Sequence, residues 1–211
     1  MTTRAYETEP DAAAALFGRR LDVARKYTND LARRGEELGL IGPVELPRLW
    51  TRHVLNSVLV APLIWPSARV GDIGSGAGLP GLVLAIARPD AQFVLIEPMA
   101  RRCDWLRHEA AELGLTNVEV MRARAEEANP TPILDQATAR AVSALSKLLP
   151  LTVPLVRSGG EVILMKGASV ERELSAAAKA IKRLRLTEVE ILLLGDGVAT
   201  EVTRVFRATV G

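Results

Sequence analysis

The chain has 211 residues, of which 48% are hydrophobic and 25% charged, and its formal net charge is +2. These values are typical of one globular unit with a substantial core, and no apolar run reaches the ~20 residues of a membrane-spanning helix. A single cysteine excludes an internal disulfide, and two histidines argue against a zinc site. We therefore expect a cytoplasmic protein without a membrane segment or metal, and the slight positive charge permits a nucleic-acid partner.

The N-terminal part of the chain has a helical pattern. Apolar residues recur every three to five positions over 11–38, with arginines between them. Glycines and prolines then break the chain before a further helix expected over about 47–61. On that helix Arg52, His53 and Asn56 form a polar stripe. The stripe is either a solvated face or part of a cap over the ligand loop that follows it.

The glycine-rich stretch VGDIGSGAGLPG at 70–81 has the pattern of a strand, a turn and a helix start. Its glycines permit positive φ and let a ligand approach the backbone, in a dinucleotide loop and in a methyl-donor loop alike. Asp72 favours the second, because it would repel a pyrophosphate, whereas S-adenosyl-L-methionine carries a sulfonium and an ammonium. We therefore expect Asp72, Gly74, Gly76 and Gly78 to bind that methyl donor, with a nicotinamide dinucleotide as the alternative.

After residue 66, strands alternate with helices. The expected strands cover 68–73, 92–97, 118–122, 135–140, 160–166, 186–194 and 201–210. The expected helices cover 80–88, 100–114, 143–157 and 169–184. Such alternation predicts a parallel sheet with helices on both faces, whereas the last two strands are joined too closely for a crossover and must form an antiparallel hairpin.

These elements predict an α/β fold of the class I (Rossmann-like) methyltransferase type. Its sheet is expected to have seven strands, mostly parallel, with an antiparallel last strand. A helical cap is expected over 1–66 and the methyltransferase domain over 67–211, the two forming one compact unit.

Ligands of open α/β sheets bind at the carboxyl ends of the strands. Glu97 follows the second expected strand, where a carboxylate can accept both ribose hydroxyls. Ala125 and Glu126 follow the third strand and are expected to border the adenine. Arg140 and Lys166 follow the fourth and fifth. The guanidinium of Arg140 would pair with the methionine carboxylate or a substrate phosphate, or else form a structural ion pair.

Several short motifs in these positions match a known pattern. They are Trp50-Thr-Arg52-His53-Val-Leu-Asn56-Ser57, Asp72-Ile-Gly-Ser-Gly-Ala-Gly-Leu-Pro-Gly81, Ile96-Glu97-Pro98 followed by Arg101-Arg102, Arg124-Ala-Glu-Glu127, Ala139-Arg140-Ala141 and Leu164-Met-Lys166-Gly167. Together they resemble the bacterial 16S rRNA guanine-N7 methyltransferase family, long called glucose-inhibited division protein B. The resemblance covers about 20–210.

The resemblance implies methylation of guanine-527 in the 530 loop of 16S rRNA. It also implies that the methyl donor is held by Gly74, Leu79, Ala125, Glu126 and Arg140. The chain departs from the family pattern on the presumed substrate side, where Asn56 stands in place of an expected acidic residue and Tyr27-Thr-Asn-Asp-Leu31 replaces an Asn-Leu-Thr stretch. The departures leave the donor assignment intact and concern the RNA contacts.

The expected reaction requires that the base and the methyl donor be oriented, and it requires no proton transfer from the base. Guanine N7 offers an in-plane lone pair without a proton, so attack on a sulfonium methyl needs no general base. No residue is therefore assigned with certainty to catalysis. Arg140, Lys166 and His53 are the candidates to orient the base, for example by donating to guanine O6.

Contact with RNA is expected from basic side chains, since aromatic residues make up only 4% of the chain. The expected contacts to 16S rRNA or the small ribosomal subunit are Arg20, Arg25, Arg34, Arg52 and Lys166, each of which has solvated surface charge as its alternative. Other functions stay open at this point. They are a class I methyltransferase acting on another RNA or a small molecule, an NAD-dependent oxidoreductase and a non-catalytic RNA-binding module.

Overall fold

A computed structural model describes residues 6–140, 143–198 and 201–211. The N-terminal helices are α1 (Ala12–Phe17), α2 (Leu21–Arg34) and the short α3 (Asn56–Val58). Three 3₁₀ segments flank them, Gly18–Arg20, Pro43–Arg48 and Ala61–Leu63, and a π-helical segment covers Leu49–Leu55.

Seven strands and four longer helices make up the rest of the described chain. The strands are β1 (Arg69–Ile73), β2 (Gln92–Ile96), β3 (Val118–Met121), β4 (Leu134–Arg140), β5 (Val156–Lys166), β6 (Leu186–Leu194) and β7 (Thr203–Val210). The helices are α4 (Gly81–Ala87), α5 (Ala100–Glu112), α6 (Leu145–Thr152) and α7 (Val170–Arg183). Short 3₁₀ segments lie at Ala125–Glu127 and Val153–Leu155.

The strands form one sheet in the order β3-β2-β1-β4-β5-β7-β6. All pairs from β3 to β5 are parallel, whereas β7 lies antiparallel between β5 and β6. This topology confirms the expected fold class. The strand order reverses between β1 and β4, so a ligand crevice is expected beyond the carboxyl ends of these two neighbours.

Element bounds differ from the expected ones where proline or glycine interrupts a helical pattern. The helix expected over 11–38 is divided at Gly18, whose φ is +49°. The helix expected over 47–61 is a series of 3₁₀, π and α segments, because Pro47 has no N–H to donate within a helix. Strand β5 begins at Val156 rather than 160, since the pairing with β4 shifts register instead of ending.

Three expectations fall partly on residues outside the described ranges. The cap expected over 1–66 includes residues 1–5, the connection between the last two strands includes residues 199 and 200, and the motif around Arg140 includes Ala141.

The cap and the sheet share a hydrophobic core. Tyr27 and Leu31 of α2 are fully buried in the same cluster as Leu82 and Val83 of α4. A second cluster fills the space between the opposite face of the sheet and helices α6 and α7. The N-terminal helices therefore lie against the β1–α4 connection, where the glycine-rich loop is found. No helix among the described residues has the length and apolarity needed to cross a membrane.

Candidate functional site

The glycine-rich loop after β1 is held by hydrogen bonds on several sides. The N–H groups of Gly74 and Ser75 donate to the carbonyl of Ile96 in β2, at 2.9 and 3.2 Å. Where the loop enters α4, the Asp72 carboxylate accepts the N–H of Gly81 at 3.0 Å. These bonds join the loop to both strands beneath it.

Gly76 is the loop glycine whose missing side chain leaves open space. Its φ is +55°, and a Cβ built there would meet nothing closer than the carbonyl oxygen of Gly74 at 3.8 Å. A Cβ at Gly81 would instead lie 2.5 Å from Asp72 and 2.4 Å from Leu95. Gly81 thus permits close packing of α4 on the sheet, whereas Gly76 exposes backbone to the crevice.

The carboxylate of Glu97 supports the loop from the end of β2. It is only 2% exposed and accepts the N–H of Gly76 and the N–H of Met99, each at 3.0 Å. Because an ionised carboxylate has about four acceptor positions, these two bonds leave capacity for further donors. Glu97 therefore fixes the loop and can still serve the ribose contact expected from the sequence.

The Ala77 carbonyl in the same loop accepts two buried donors. Tyr27 of α2 donates its hydroxyl at 3.0 Å, and Trp105 of α5 donates its indole N–H at 2.9 Å. These residues occur on apolar stripes of their helices, and sequence reasoning missed them as supports of the loop. The cap thus contributes directly to the loop geometry.

Asp72 lies behind the loop, fully buried. Burial raises the pKa of its carboxyl to about 7, although Ser75, the Gly81 N–H and the charge of Arg140 act in the opposite direction. Its Oδ1 has no hydrogen-bond partner among the described residues. Because Asp72 already occupies the Gly81 N–H, that donor is not available to a pyrophosphate.

A cavity of about 460 Å³ lies at the carboxyl ends of β2 and β3. Its lining includes Met99, and also Arg124 and Glu127 on either side of Ala125 and Glu126. Ala125 is half-buried and Glu126 is exposed. Ala125 and Glu126, the residues expected beside the adenine, therefore lie in the 3₁₀ turn after β3, between two residues that line this cavity. The remaining loop residue expected at the donor, Leu79, is buried.

A larger cleft of about 610 Å³ lies between the cap and the carboxyl ends of β4 and β5. It brings together Arg140, Lys166, His53 and Arg52, which the sequence had singled out separately. Its full lining is Glu45, Arg52, His53, Asn56, Arg140, Met165, Lys166, Gly167, Ala168, Glu201, Val202, Thr203 and Arg204. The π-helical segment, a geometry often found at functional sites, carries Arg52 and His53 into the cleft.

Three polar atoms of this lining are buried without a hydrogen-bond partner among the described residues. They are the Oδ1 of Asn56, the Oγ1 of Thr203 and the Nε of Arg204. Such atoms are rare in folded proteins and call for a ligand or water as partner. The cleft thus offers unsatisfied polar groups to whatever binds there.

The guanidinium of Arg140 is anchored to the cap by two bonds. It donates to the carbonyl of Arg52 at 3.1 Å and to the Nδ1 of His53 at 2.5 Å. Arginine has five N–H groups, so these bonds leave three for other acceptors. In β4, Thr138 pairs with Asp72 of β1, which places Arg140 just beyond that register, beside the start of the glycine-rich loop.

The ring of His53 uses both nitrogens. Since an arginine N–H can only donate, Nδ1 must accept, and Nε2 then donates to Glu45 at 2.9 Å. Burial, followed by the charge of Arg140, lowers the pKa of His53 to about 4 despite the opposing effect of Glu45. The ring is therefore neutral at pH 7 and retains no N–H for a base, so it holds Arg140 rather than donating to guanine O6.

Lys166 is more constrained than the sequence indicated. Its ammonium lies 2.7 Å from the Glu173 carboxylate and donates to the Ser143 carbonyl at 2.6 Å, and its side chain is 8% exposed. One of its three N–H groups stays available. Among the three orienting candidates, Arg140 therefore offers the most donors to the cleft.

The basic residues expected to meet RNA have different surroundings. Arg52 lines the cleft and lies 3.2 Å from Glu45. Arg20 donates to the Ile86 carbonyl of α4 at 3.2 Å, so part of its role is to join the cap to the sheet domain. Arg25 and Arg34 lie elsewhere on α2.

Arg25 makes a two-pronged ion pair with Glu9, at 2.6 and 2.8 Å, and also bonds to Asp22. Arg34 lies over the ring of Trp105, with its guanidinium carbon 5.3 Å from the ring centroid. Both side chains keep 40% or more of their surface exposed. Both can still approach a phosphate, although the phosphate would compete with Glu9 and Asp22 for the guanidinium of Arg25.

Glu45 is the cleft residue that sequence reasoning missed most clearly. It lies between Pro43 and Pro47, in a stretch interpreted only as a break in the chain. Its spacing to Arg48 and Arg52, three and seven residues, is that of one helical face and could have indicated a charged cluster.

Comparison with proteins of known fold places the architecture among methyltransferases. The tRNA (m1A58) methyltransferase of Aquifex aeolicus matches 74% of this chain and 68% of its own, at 18% identity and a TM-score of 0.57. An S-adenosylmethionine-dependent O-methyltransferase of Thermotoga maritima matches 74% of this chain and 65% of its own, at 17% identity and a TM-score of 0.57. At such identities the likeness concerns the fold alone.

Similarity to curated sequences is much higher. Ribosomal RNA small subunit methyltransferase G of Leifsonia xyli is 63% identical over 208 residues, which cover 99% of each chain. The protein of the same name from Clavibacter michiganensis is 65% identical over 204 residues, covering 97% of this chain and 96% of the relative. The family model described as rRNA small subunit methyltransferase G matches residues 20–200. The chain therefore belongs to the rRNA small subunit methyltransferase G family.

Proposed function

We propose that this protein uses S-adenosyl-L-methionine to methylate N7 of a guanine in 16S rRNA, guanine-527 of the 530 loop, in the cytoplasm. The observation that carries the proposal is the position of the open glycine loop beside the Arg140 cleft, at the ends of the adjacent strands β1 and β4. A methyl donor on the loop would face a base in the cleft. The names of the family and of its curated relatives support small-subunit rRNA as the substrate.

The loop has the features that this donor requires. The open space at Gly76 lets a ligand approach the backbone, and Glu97 has acceptor positions left for ribose hydroxyls. The Oδ1 of Asp72 behind the loop has no hydrogen-bond partner among the described residues, and a bound cationic ligand would favour the charged form of this carboxyl. When bound, S-adenosyl-L-methionine supplies an electrophilic methyl group on a sulfonium. The chain's own contribution is to hold this ligand and to exclude water behind the loop.

The cleft has the features that a guanine requires. Arg140 presents N–H groups that match the O6 acceptor beside N7, and the unpartnered Asn56 Oδ1 can accept from the donor edge of the base. Since N7 carries no proton, the cleft needs no general base, and its groups act by orientation and electrostatics. Neutral His53 adds no second positive charge next to N7, where positive charge develops.

RNA would approach over the cap. Arg52 and Lys166 line the cleft, Arg20 lies just before α2, and Arg25 and Arg34 lie on α2. To reach the cleft, a guanine must leave its stack, as bases do in other enzymes that modify them. The described lining of the cleft contains no Phe, Tyr or Trp, so a structured rRNA that presents the base fits better than a free single strand.

An NAD-dependent oxidoreductase is disfavoured by the same geometry. A pyrophosphate needs free N–H groups at the start of α4, and Asp72 both occupies the Gly81 N–H and contributes an acidic group. Calorimetry with the two ligands separates the alternatives. We expect binding of S-adenosyl-L-methionine and none of NAD, whereas the reverse result would contradict the proposal.

Methyl transfer to RNA tests the function itself. The protein is incubated with labelled S-adenosyl-L-methionine and small-subunit rRNA or subunits that lack the modification, with bulk tRNA as the control substrate. We expect label in the 16S rRNA only. Label in tRNA, or donor binding without transfer to any RNA, would favour another RNA substrate or a non-catalytic binding module.

A further inference from the structure

Three side chains form a connected series from the surface of the cap to the cleft. Glu45 accepts from the Nε2 of His53 at 2.9 Å, and the Nδ1 of His53 accepts from Arg140 at 2.5 Å. His53 is 8% exposed, whereas Arg140 reaches into the cleft. Such a series fixes both the tautomer of the ring and the direction of the guanidinium, as carboxylate–histidine pairs do elsewhere.

We propose that Glu45 and His53 are positioning residues that hold the Arg140 guanidinium in the orientation needed by the target base. This inference rests on the proposed function, because the base to be positioned is the methyl acceptor. Both residues line the cleft, but their polar atoms already have partners: both nitrogens of His53 are hydrogen-bonded, and the Glu45 carboxylate bonds to His53 and pairs with Arg48 and Arg52. Their effect on the reaction passes through Arg140.

The charges around the ring support this role. Burial is the largest influence on the pKa of His53 and lowers it, and the charges of Arg140 and Arg52 lower it further. Glu45, which bonds to the Nε2 of the ring, raises it. An imidazolium would turn an N–H toward Arg140 and break the bond at Nδ1, so neutrality of the ring is a condition for the series.

The same carboxylate also restrains the cap. Glu45 lies 3.2 Å from Arg48 and 3.2 Å from Arg52. Loss of Glu45 could therefore act through these ion pairs instead of through His53. The variant Arg48→Gln removes one of them and leaves the bond to His53, and thus serves as the matched control.

Steady-state methyl transfer to small-subunit rRNA, with wild type active in the same assay, tests the proposal. We expect Glu45→Ala, which removes the acceptor of the Nε2–H, to lower kcat by about tenfold to a hundredfold, the range of a small misplacement of a positioning group, with KM for donor and RNA within about twofold of wild type. Arg48→Gln should keep the wild-type kcat. A folded Glu45→Ala protein with wild-type kcat, or with a raised KM alone, would overturn the inference.

A double-mutant cycle tests whether Glu45 acts on Arg140 through the ring of His53. Asparagine at position 53 places an acceptor near the position of Nδ1 but does not reach Glu45. In the His53→Asn background, Glu45→Ala should therefore have no further effect on kcat. Full additivity of the two changes would show that Glu45 acts by another route and would contradict the proposal.

Nitrogen NMR of ¹⁵N-histidine protein gives a measurement that does not depend on activity. The chain has only two histidines, and exposed His108 on α5 is the internal reference. We expect His53 at pH 7 as the neutral tautomer protonated at Nε2. A Nδ1-protonated ring or an imidazolium would overturn the series. If this tautomer is found while no RNA is methylated, the proposed function fails and the hydrogen-bonded series stands.

Discussion

Tyr27 of the second cap helix donates its hydroxyl to the carbonyl of Ala77, 50 residues later in the glycine-rich loop, at 3.0 Å. The bond is buried, and Trp105 donates to the same carbonyl from the opposite helix α5. The cap is thus more than a cover for the cleft, because it supports the loop expected to bind the methyl donor.

Tyr27→Phe should weaken donor binding without abolishing it. The change removes one buried hydrogen bond worth about 1 kcal/mol and leaves the Trp105 bond in place, so we expect a loss of about threefold to tenfold in donor affinity. Calorimetry with S-adenosyl-L-methionine measures it. Tyr6→Phe, which removes a hydroxyl bonded to Asn29 on the exposed cap surface, is the control and should bind normally. Equal affinity in all three proteins would show that the loop does not depend on the cap.

Gly76→Ala should abolish donor binding while the fold is retained. The added Cβ has no contact closer than 3.8 Å but occupies the open space where we expect the backbone to meet the ligand, and φ of +55° adds a strain of about 1 kcal/mol. Gly114→Ala is a close match, with φ of +63° and no atom within 4 Å of the added Cβ, at the end of α5. It should cost similar stability and leave donor affinity unchanged. Normal binding by Gly76→Ala would remove the loop from the donor site.

The pH dependence of stability should report Asp72. Its carboxyl has a pKa of about 7 in the folded protein, against 3.8 for the free group. Between these values the folded state keeps a proton that the unfolded state has lost, so this group lowers the free energy of unfolding as pH rises from about 4 to 7. Asp72→Asn removes the effect. The stability gain of the variant should therefore grow over that range and level off above it.

Thermal unfolding of the donor-free protein at several pH values measures this gain. Asp104→Asn, on the exposed side of α5, is the control and should follow wild type. A gain that is constant with pH, or that shrinks as pH rises, would mean that the Asp72 carboxyl is charged in the folded state throughout.

Replacement of Arg20, Arg25, Arg34 and Arg52 together by glutamine should lower RNA affinity and flatten its salt dependence. Removal of each arginine–phosphate ion pair should reduce the log–log salt slope by roughly 0.7 to 0.9, and donor affinity should change little. Filter binding at several salt concentrations measures the slope. The control replaces Lys179, Lys182 and Arg183 of α7, away from the cleft lining. If the α7 set carried the salt dependence, the RNA would approach another face.

Most of the fold was predictable because strand-like and helix-like segments alternate along the chain, which is typical of a parallel sheet covered by helices. The strand from Leu186 to Leu194 has its predicted bounds, and the reversed last strand follows from the short connection before it. The cap was predicted less well. Around Pro47 the chain changes between 3₁₀, π and α geometry, and periodicity does not distinguish these.

Site residues at the carboxyl ends of strands could be predicted from the sequence. Contacts between the cap and the sheet, which join segments far apart in the chain, could not. Arg140 is the last residue of β4 and Glu97 directly follows β2, so their position follows from topology alone. The link from Arg140 to His53, 87 residues apart, depends on how the cap packs on the sheet. The contact between Glu45 and His53 is a second example. It depends on the π-helical segment that carries His53, and the sequence pattern does not predict that segment.

Identification of the methylated atom tests the proposed function most directly. Unmodified small-subunit rRNA is incubated with the protein and S-adenosyl-L-methionine, reduced with borohydride and treated with aniline, which cleaves the chain at N7-methylguanine. We predict one new cleavage, at guanine-527, which is absent when the Gly76→Ala variant replaces wild type. Methyl incorporation without an aniline-sensitive site, or with cleavage at a different nucleotide, would contradict methylation of N7 of that guanine.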